Sequence, residues 1–203
     1  MLDGRLDEAE TKLRDALARL EQGAFRAEVA ATHVSLGELA RARGDLRLAR
    51  TEYAAALGQA RAYGLVQDSV IALLDLAITE LAMGRPERAA RRLAAVDGLG
   101  GAVSPRWQPY VETVAVAVAA GCGHWERAEG LAEGLFDLGE SLPADADVVE
   151  LLERAASTSR LAGQAVLAGD LADLALSAAD RSGDDEAAQR IRRIMQDLSG
   201  SAS

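Results

Sequence analysis

Gly44-Asp45-Leu46-Arg47-Leu48-Ala49 is the stretch that decides the fold of this 203-residue chain, because it recurs along the sequence. Gly84-Arg85-Pro86-Glu87-Arg88-Ala89 follows 40 residues later, and Gly123-His124-Trp125-Glu126-Arg127-Ala128 follows after another 39. Two further copies start at Gly4 and Gly169. Each copy has a glycine that can end one helix and, five residues later, a small or apolar residue, which is alanine in every copy except the one at Gly169. An alanine there lets the next helix pack closely. The repeat therefore predicts a series of helical hairpins.

Composition indicates the class of structure that this repeat builds. Hydrophobic residues make up 49% of the chain and charged residues 27%, so the sequence can bury a core. Aromatic residues are only 3%, whereas alanine accounts for about a fifth of all residues. A β-sandwich or barrel would need more aromatic and β-branched residues, and packed helices use small side chains at their contacts. The sequence therefore predicts an all-α fold.

The spacing of apolar residues, glycines and prolines predicts ten helices in a single repeat domain over residues 1–198. The predicted helices lie at about 5–21, 25–43, 45–63, 66–83, 86–97, 106–121, 124–139, 145–168, 170–181 and 184–198. The first is half a repeat, the last is a cap, and the four full repeats lie at about 25–63, 66–97, 106–139 and 145–181. Gly98–Ser104 is the most flexible internal connection, and 199–203 is a tail.

Residues on both sides of the glycine motif carry a family resemblance. Leu36-Gly37 precedes Gly44, and Tyr53 and Ala56 follow Ala49 in the second helix. This arrangement resembles the tetratricopeptide repeat (TPR) family, in a long form of about 40 residues seen in bacterial signalling and regulatory proteins. The resemblance implies an α-solenoid of antiparallel helix pairs whose first helices line a concave groove. Armadillo and HEAT repeats have a nearer period than the usual TPR, but they lack this turn motif.

The start of the array differs from the other repeats. The first predicted helix aligns with the second helix of a repeat, so it has no partner helix within the array. Terminal repeats normally carry a cap. We therefore expect either that the chain is a fragment of a longer protein or that this helix pairs with another chain, which allows a homo-oligomer. An unusual cap is the alternative.

The two histidines and the cysteine are the residues to consider for catalysis or metal binding. Cys122 and His124 flank a repeat glycine, but a closed zinc site needs about four ligands and nothing nearby supplies the others. His33 has no carboxylate at helical spacing, so packing or surface exposure explains it better than a catalytic role. No phosphate loop, nucleophile elbow or zinc-protease motif occurs. The sequence predicts that the chain is not an enzyme and holds no metal or cofactor.

The net charge of −10 limits the partners. Binding to nucleic acids or to anionic membrane surfaces depends on basic charge, so the sequence predicts neither. No apolar run has the length of a membrane span, and the lone Cys122 cannot form an intrachain disulfide, which favours a cytoplasmic location. The partner that we expect is a protein or peptide segment, or another part of the parent protein.

Like charges are grouped in two predicted helices. Arg85, Arg88, Arg91 and Arg92 form one same-face run, and an acidic run lies on the helix predicted at 124–139. Like charges one helical turn apart repel each other. One interpretation pairs Arg88 and Arg92 with the acidic run, and the other leaves an acidic surface for a basic partner.

The family resemblance also assigns residues to the groove. The predicted partner-binding residues are Val34, Glu38, Arg41, Leu74, Asp75, Ile78, Leu81, Tyr110, Thr113, Ala117 and Arg160. Ser159, Gly163 and Val166 extend this surface. The helix predicted at 106–121 is apolar on all sides, so either the chain fills the groove itself or an apolar partner segment occupies it.

Three hypotheses for the function follow from this interpretation. The leading hypothesis is a non-catalytic interaction module or scaffold that binds a partner segment in the groove. The alternative is a ligand-sensing regulatory domain of a bacterial transcriptional activator or kinase. The third is a structural array that assembles end to end through its first helix.

Overall fold

A computed structural model describes residues 2–200 of the chain. Across these residues the structure is all-helical, with ten α-helices and no strand, as the composition predicts. The chain divides into two compact units, the first ending at Ser104 and the second starting at Pro105, and each unit is described by itself. The last three residues of the predicted tail, 201–203, lie outside the described residues.

Five helices form the described part of the first unit: α1 (Leu2–Leu20), α2 (Arg26–Ala42), α3 (Leu46–Ala62), α4 (Val66–Ala82) and α5 (Pro86–Asp97). Five more form the second: α6 (Gln108–Gly121), α7 (Trp125–Leu138), α8 (Ala146–Leu161), α9 (Ala165–Ser182) and α10 (Asp185–Gly200). Short 3₁₀ turns lie at Gly100–Ala102, Pro105–Trp107 and Gly139–Ser141.

The same glycine turn recurs between helices of both units. Within residues 2–200, helices end at glycines with a φ between +67° and +78° at Gly44, Gly64, Gly84, Gly123, Gly163 and Gly183. Only glycine adopts this left-handed backbone without strain. The amide that follows the glycine donates back to a carbonyl in the last turn of the helix, as in the 2.9 Å bond from Asp45 N to Ala40 O. This bond is part of the Schellman motif, which satisfies carbonyls at the helix end.

The small residue five positions after the turn glycine is fully buried. Ala49, Ala89 and Ala128 each have a relative exposure of 0%, which confirms their predicted burial. The copy at Gly4 differs, because Gly4 lies inside α1 and Ala9 is only half-buried. A larger side chain at such a position would force the helices apart, at a cost of about 1–3 kcal/mol. The recurrence of alanine at this position of the chain therefore follows from the close approach of the helices and needs no functional explanation.

The fourth hairpin turns at a different glycine from the one that the sequence predicts. Gly169 lies inside α9, whereas Gly163 has a φ of +78° and joins α8 to α9. The predicted boundary between helices 145–168 and 170–181 is therefore wrong, because α8 ends at Leu161 and α9 begins at Ala165. Gly163 stands 40 residues after Gly123, and its alanine, Ala168, is also fully buried. A glycine inside a helix costs only about 1 kcal/mol, so Gly169 does not break α9.

Helices joined by a left-handed glycine turn pack together within each unit. In the first unit, α1 contacts α2, α2 contacts α3, α3 contacts α4, and α4 contacts α5; α2 also contacts α4. In the second unit, α6 contacts α7 and α8, while α9 contacts α7, α8 and α10. Helices two apart along the chain therefore also contact each other, namely α2 with α4, α6 with α8, α7 with α9 and α8 with α10.

Ion pairs join α1 to the end of α2 in the first unit. The Arg43 guanidinium after α2 binds the carboxylates of Asp7, at 2.6 Å, and of Glu10 on α1. Arg43, together with Arg14, holds the pKa of Glu10 below its ordinary value by hydrogen bonding to that carboxylate.

A side-chain hydrogen bond holds the connection after α5. The Gln67 side chain donates to Ala102 O at 2.7 Å. Gln67 thus ties the connection after α5, which the sequence predicts to be the most flexible one, to α4.

The structure tests two predictions about helices of the second unit, the burial of α6 and the capping role of α10. Every residue from 113 to 120 of α6 is buried, which confirms that the apolar part of this helix is covered on all sides. On α10, Ala187, Ala188, Ile191 and Ile194 are buried, and this helix packs on α8 and α9, as expected of a terminal cap.

Among residues 2–200, no helix combines the length and the apolar character that a membrane crossing requires.

Candidate functional site

The predicted groove residues of the first unit lie on two helices. Val34, Glu38 and Arg41 are on α2, where Glu38 is exposed and the other two are half-buried. On α4, Leu74, Ile78 and Leu81 are only 5–6% exposed, and Asp75 beside them is half-buried. The apolar members on α4 are therefore already covered by the chain, while the α2 members reach solvent.

The predicted groove residues of the second unit lie on α6 and α8. Thr113 and Ala117 are buried, and the Thr113 hydroxyl donates to the Pro109 carbonyl at 2.8 Å. Arg160 on α8 lies with its Nη1 3.5 Å from an Asp197 carboxylate oxygen. Because the groove would combine residues of both units, its assembly stays a prediction.

Tyr110 is a predicted groove residue whose ionisation is perturbed. Its hydroxyl donates to the carboxylate of Asp145, which also caps the start of α8 by accepting from the amides of Asp147 and Val148. Burial, followed by the hydrogen bond to Asp145, raises the pKa of Tyr110 to about 12. The phenol thus stays protonated and joins α6 to the start of α8.

The predicted extension of the groove is corrected by the turn at Gly163. Ser159 is buried on α8, as a first-helix residue would be, but Gly163 forms the turn itself. Val166 belongs to α9, the second helix of the hairpin, and is 78% exposed. Placing the turn at Gly169 moved these two residues onto the wrong helix.

The residues considered for catalysis or metal binding have separate environments. His33 Nδ1 lies 2.8 Å from Glu52 Oε2, and Arg14 Nη1 lies 3.5 Å from the other oxygen of Glu52. This cluster joins α1, α2 and α3, and its members are too far apart in sequence for helical spacing to reveal it. His124 is an exposed residue before α7. Among the side chains that the structure describes, those of residues 5–200, no three from His, Cys, Asp or Glu lie close enough to hold a metal ion.

A cavity of about 320 Å³ lies between α3, α4 and α5 in the first unit. We call it the arginine cavity because its lining residues are Arg50, Glu80, Arg88, Arg91 and Arg92. Arg50 and Arg92 are half-buried, while Arg88 and Arg91 are exposed at the rim. Within the first unit, none of these four arginine side chains makes an ion pair or a hydrogen bond.

Glu80 forms the buried wall of the arginine cavity. Its side chain is 1% exposed, and neither carboxylate oxygen has a hydrogen-bond donor in the structure. The nearest cation is Arg85, outside the cavity lining, whose Nη1 lies 3.7 Å from Glu80 Oε2. A buried carboxylate without donors is costly, so this arrangement is unusual for a purely structural position.

The second unit has a larger cavity, of about 440 Å³, between α8 and α10. We call it the paired cavity because its charged lining residues bind one another. Arg190 Nη2 lies 2.9 Å from a carboxylate oxygen of Glu153, and Arg154 Nη2 lies 3.0 Å from Glu150. The hydrogen bond to Glu153 raises the pKa of Arg190. These charges already have partners within the chain.

Sequence analysis identified only part of the arginine cavity. The same-face run on α5 is a visible signal, and three of its arginines line the cavity. Arg50 and Glu80 were missed, because the sequence around a single charged residue in a helix does not show which residues of other helices lie beside it.

Comparison with known protein families and with curated proteins gives no match for this chain.

Proposed function

We propose that this chain is a non-catalytic helical-repeat module, a TPR-like α-solenoid of antiparallel helix pairs, that binds a segment of a partner protein. The observation that carries the proposal is the recurrence of one turn geometry between packed helices. Turns at Gly44, Gly84, Gly123 and Gly163 share a left-handed glycine, and a buried alanine follows each of them five residues later. Stacked hairpins of this kind present extended surfaces, which suit extended protein segments.

The exposed groove residues of α2 are the best positions at which to test partner binding. Glu38 is exposed and Val34 is half-buried, so substitutions there change the surface and leave most of the core in place. Leu74 and Ile78 are unsuitable, because a charge at a site only 5–6% exposed would unfold the unit. A loss of binding in such variants would report on folding as much as on recognition.

The experiment is capture of partners from the native lysate with the wild-type chain, Val34→Asp and Glu38→Arg. Glu28→Arg is the matched control, since Glu28 is also exposed on α2 but is not among the predicted groove residues. We expect the two groove variants to lose a partner that the wild type and the control retain, with unchanged helical circular dichroism. Identical partners for all four proteins would refute the groove proposal. Light scattering of the same samples tests whether a second copy is the partner.

One observation favours the alternative of a ligand-sensing regulatory domain. The arginine cavity has the volume of a small-ligand site and side chains whose charges have no partner within the first unit. A sensor of this kind would bind a small molecule between helices and change the stability of the repeats around it. The chemistry of such a ligand can be inferred from the lining residues.

A further inference from the structure

We propose that the arginine cavity binds a small phosphate monoester that carries a free hydroxyl group. This site lies apart from the predicted partner-binding residues. It gives the ligand-sensing alternative a chemical class of ligand, and it stands whether or not the chain binds a protein segment. The argument rests on the charge, the hydrogen-bonding capacity and the size of the cavity.

The charge of the lining favours an anion. The guanidinium groups of Arg50, Arg88, Arg91 and Arg92 face a common space, and the single carboxylate in the lining, Glu80, has Arg85 as its ionic partner. Four cations brought together without partners repel one another, and a bound anion relieves that repulsion. A phosphate monoester fits best, because its dianionic charge and three terminal oxygens match the forked donors of several guanidinium groups.

The buried carboxylate identifies the second group of the ligand. Both oxygens of Glu80 lack a hydrogen-bond donor, and the Nε atom of Arg50 is likewise buried without an acceptor. A ligand that brings acceptors for the arginines and a donor for Glu80 satisfies both sets of groups. A hydroxyl group beside the phosphate supplies that donor, whereas inorganic phosphate leaves Glu80 facing an added negative charge.

The cavity volume sets the size of the ligand. About 320 Å³ is at the small end of the range for ligand pockets, roughly 300–1,000 Å³. A phosphorylated metabolite of a few carbon atoms fits this space. A phosphorylated side chain of a peptide presents the same phosphate chemistry, so the experiment has to compare the two sources directly.

The test is isothermal titration calorimetry on the full chain with glycerol 3-phosphate, inorganic phosphate, glycerol and a short phosphoserine peptide. We expect glycerol 3-phosphate to bind more tightly than inorganic phosphate and glycerol not to bind. Arg50→Gln and Arg92→Gln should each weaken binding about tenfold, the effect of one lost charge-assisted hydrogen bond. Arg47→Gln is the matched control, because Arg47 is exposed on α3 outside the cavity and carries the same charge.

A separate variant tests whether Glu80 accepts a hydrogen bond from the hydroxyl group of the ligand. Glu80→Leu replaces a buried carboxylate by an apolar side chain of similar size, and the ionic partner that it leaves, Arg85, is 39% exposed and can be solvated. We expect inorganic phosphate to bind at least as well as before and glycerol 3-phosphate to lose its advantage over it. If that advantage persists, the hydroxyl assignment is wrong.

Three results would overturn the phosphate site as a whole. The first is that neither phosphate compound binds, and the second is that Arg47→Gln weakens binding as much as Arg50→Gln does. The third is that the phosphoserine peptide binds and glycerol 3-phosphate does not, which would assign the cavity to a phosphorylated protein. None of these results depends on partner capture by α2, so failure of this site and failure of the groove proposal are separable.

Discussion

The arginine cavity and the paired cavity show two ways in which charged side chains line a space between helices. In the paired cavity, Glu150 and Glu153 on α8 hold Arg154 and Arg190 through bonds of 2.9–3.0 Å. In the arginine cavity, the four arginines have no ionic partner within their unit, and the one carboxylate is engaged by a residue outside the lining. Of the two cavities, the arginine cavity is therefore the one whose lining arginines have no ionic partner within their own unit.

The helix sequences explain this difference. On α8, Glu150 precedes Arg154 by four residues, which is the favourable order for an ion pair along a helix. On α5, Arg88 precedes Arg92 by the same distance, so the equivalent pair repels. Such repulsion costs a few tenths of a kcal/mol in an isolated helix, which the buried residues of α5 can offset.

The largest expected effect comes from giving the arginine cavity an internal partner. Arg88→Glu places a carboxylate four residues before Arg92, so the cavity comes to resemble the paired one. We expect the affinity for glycerol 3-phosphate to fall about 100-fold, because one cation is lost and an anion is added. The free energy of unfolding should rise by about 0.3–0.5 kcal/mol. Calorimetry and urea denaturation measure the two quantities.

The control for this variant is Arg47→Glu, which makes the same change of charge on an exposed residue of α3 outside the cavity. It should leave binding nearly unchanged in buffer of moderate ionic strength, where exposed charges at a distance are screened. Equal losses in the two variants would mean that net charge, and not the cavity, determines the affinity.

The reverse change should create a weak anion site in the paired cavity. Glu150→Gln combined with Glu153→Gln removes the ionic partners that Arg154 and Arg190 have on α8. We expect the free energy of unfolding to fall by about 1 kcal/mol, since these pairs are partly exposed. Phosphate should then stabilise the variant against heat more than it stabilises the same chain carrying Glu126→Gln and Glu129→Gln on α7. Arg190 keeps Glu186 on α10, 3.8 Å away, in this variant. If no such stabilisation is seen, removing the carboxylates of α8 is not enough to make an anion site.

The hairpin pattern could be predicted from the sequence because its causes are local. A left-handed turn requires glycine, and a close contact between helices requires a small residue, so both leave a mark at fixed spacing. The turns at Gly44, Gly84 and Gly123 were found in this way. The fourth turn was misplaced because Gly163 and Gly169 both precede an apolar helical stretch, and the difference depends on how α9 packs.

The candidate sites were harder to predict because they depend on contacts between helices. The pattern placed Leu74 and Ile78 on the groove side of α4, but it did not reveal that both are covered in the folded chain. Glu80 occupies an apolar-looking stretch of α4, and nothing near it in sequence indicates Arg50. A cavity formed by three helices becomes visible only when those helices are assembled.

A smaller effect is expected at alkaline pH in the second unit, where the Tyr110 hydroxyl donates to Asp145. Burial and the bond to Asp145 raise the pKa of Tyr110 to about 12, so the folded state holds this proton more tightly than the unfolded state does. The resulting stability is complete below pH 10, the ordinary pKa of tyrosine, and is lost as the pH rises to about 12. We expect Tyr110→Phe to lose less stability over this range than the wild type, by at most about 1 kcal/mol. Urea denaturation at pH 9.5 and 11.5 measures the difference, with Tyr63→Phe as the exposed control.

The smallest effect concerns the charges that the first unit does pair, at the contact between α1 and α2. Hydrogen bonds from Arg43 and then Arg14 lower the pKa of Glu10, so its contribution to stability is present above pH 4.5 and is lost as the pH falls below that value. Glu10→Gln should therefore cost about 0.5 kcal/mol at pH 7, as expected of a pair near the surface, and almost nothing at pH 3. Glu8→Gln, which affects an exposed pair with Lys12 within α1, is the control. Equal costs at both pH values would mean that the side-chain amide disrupts packing and that the ion pair adds no stability to the contact.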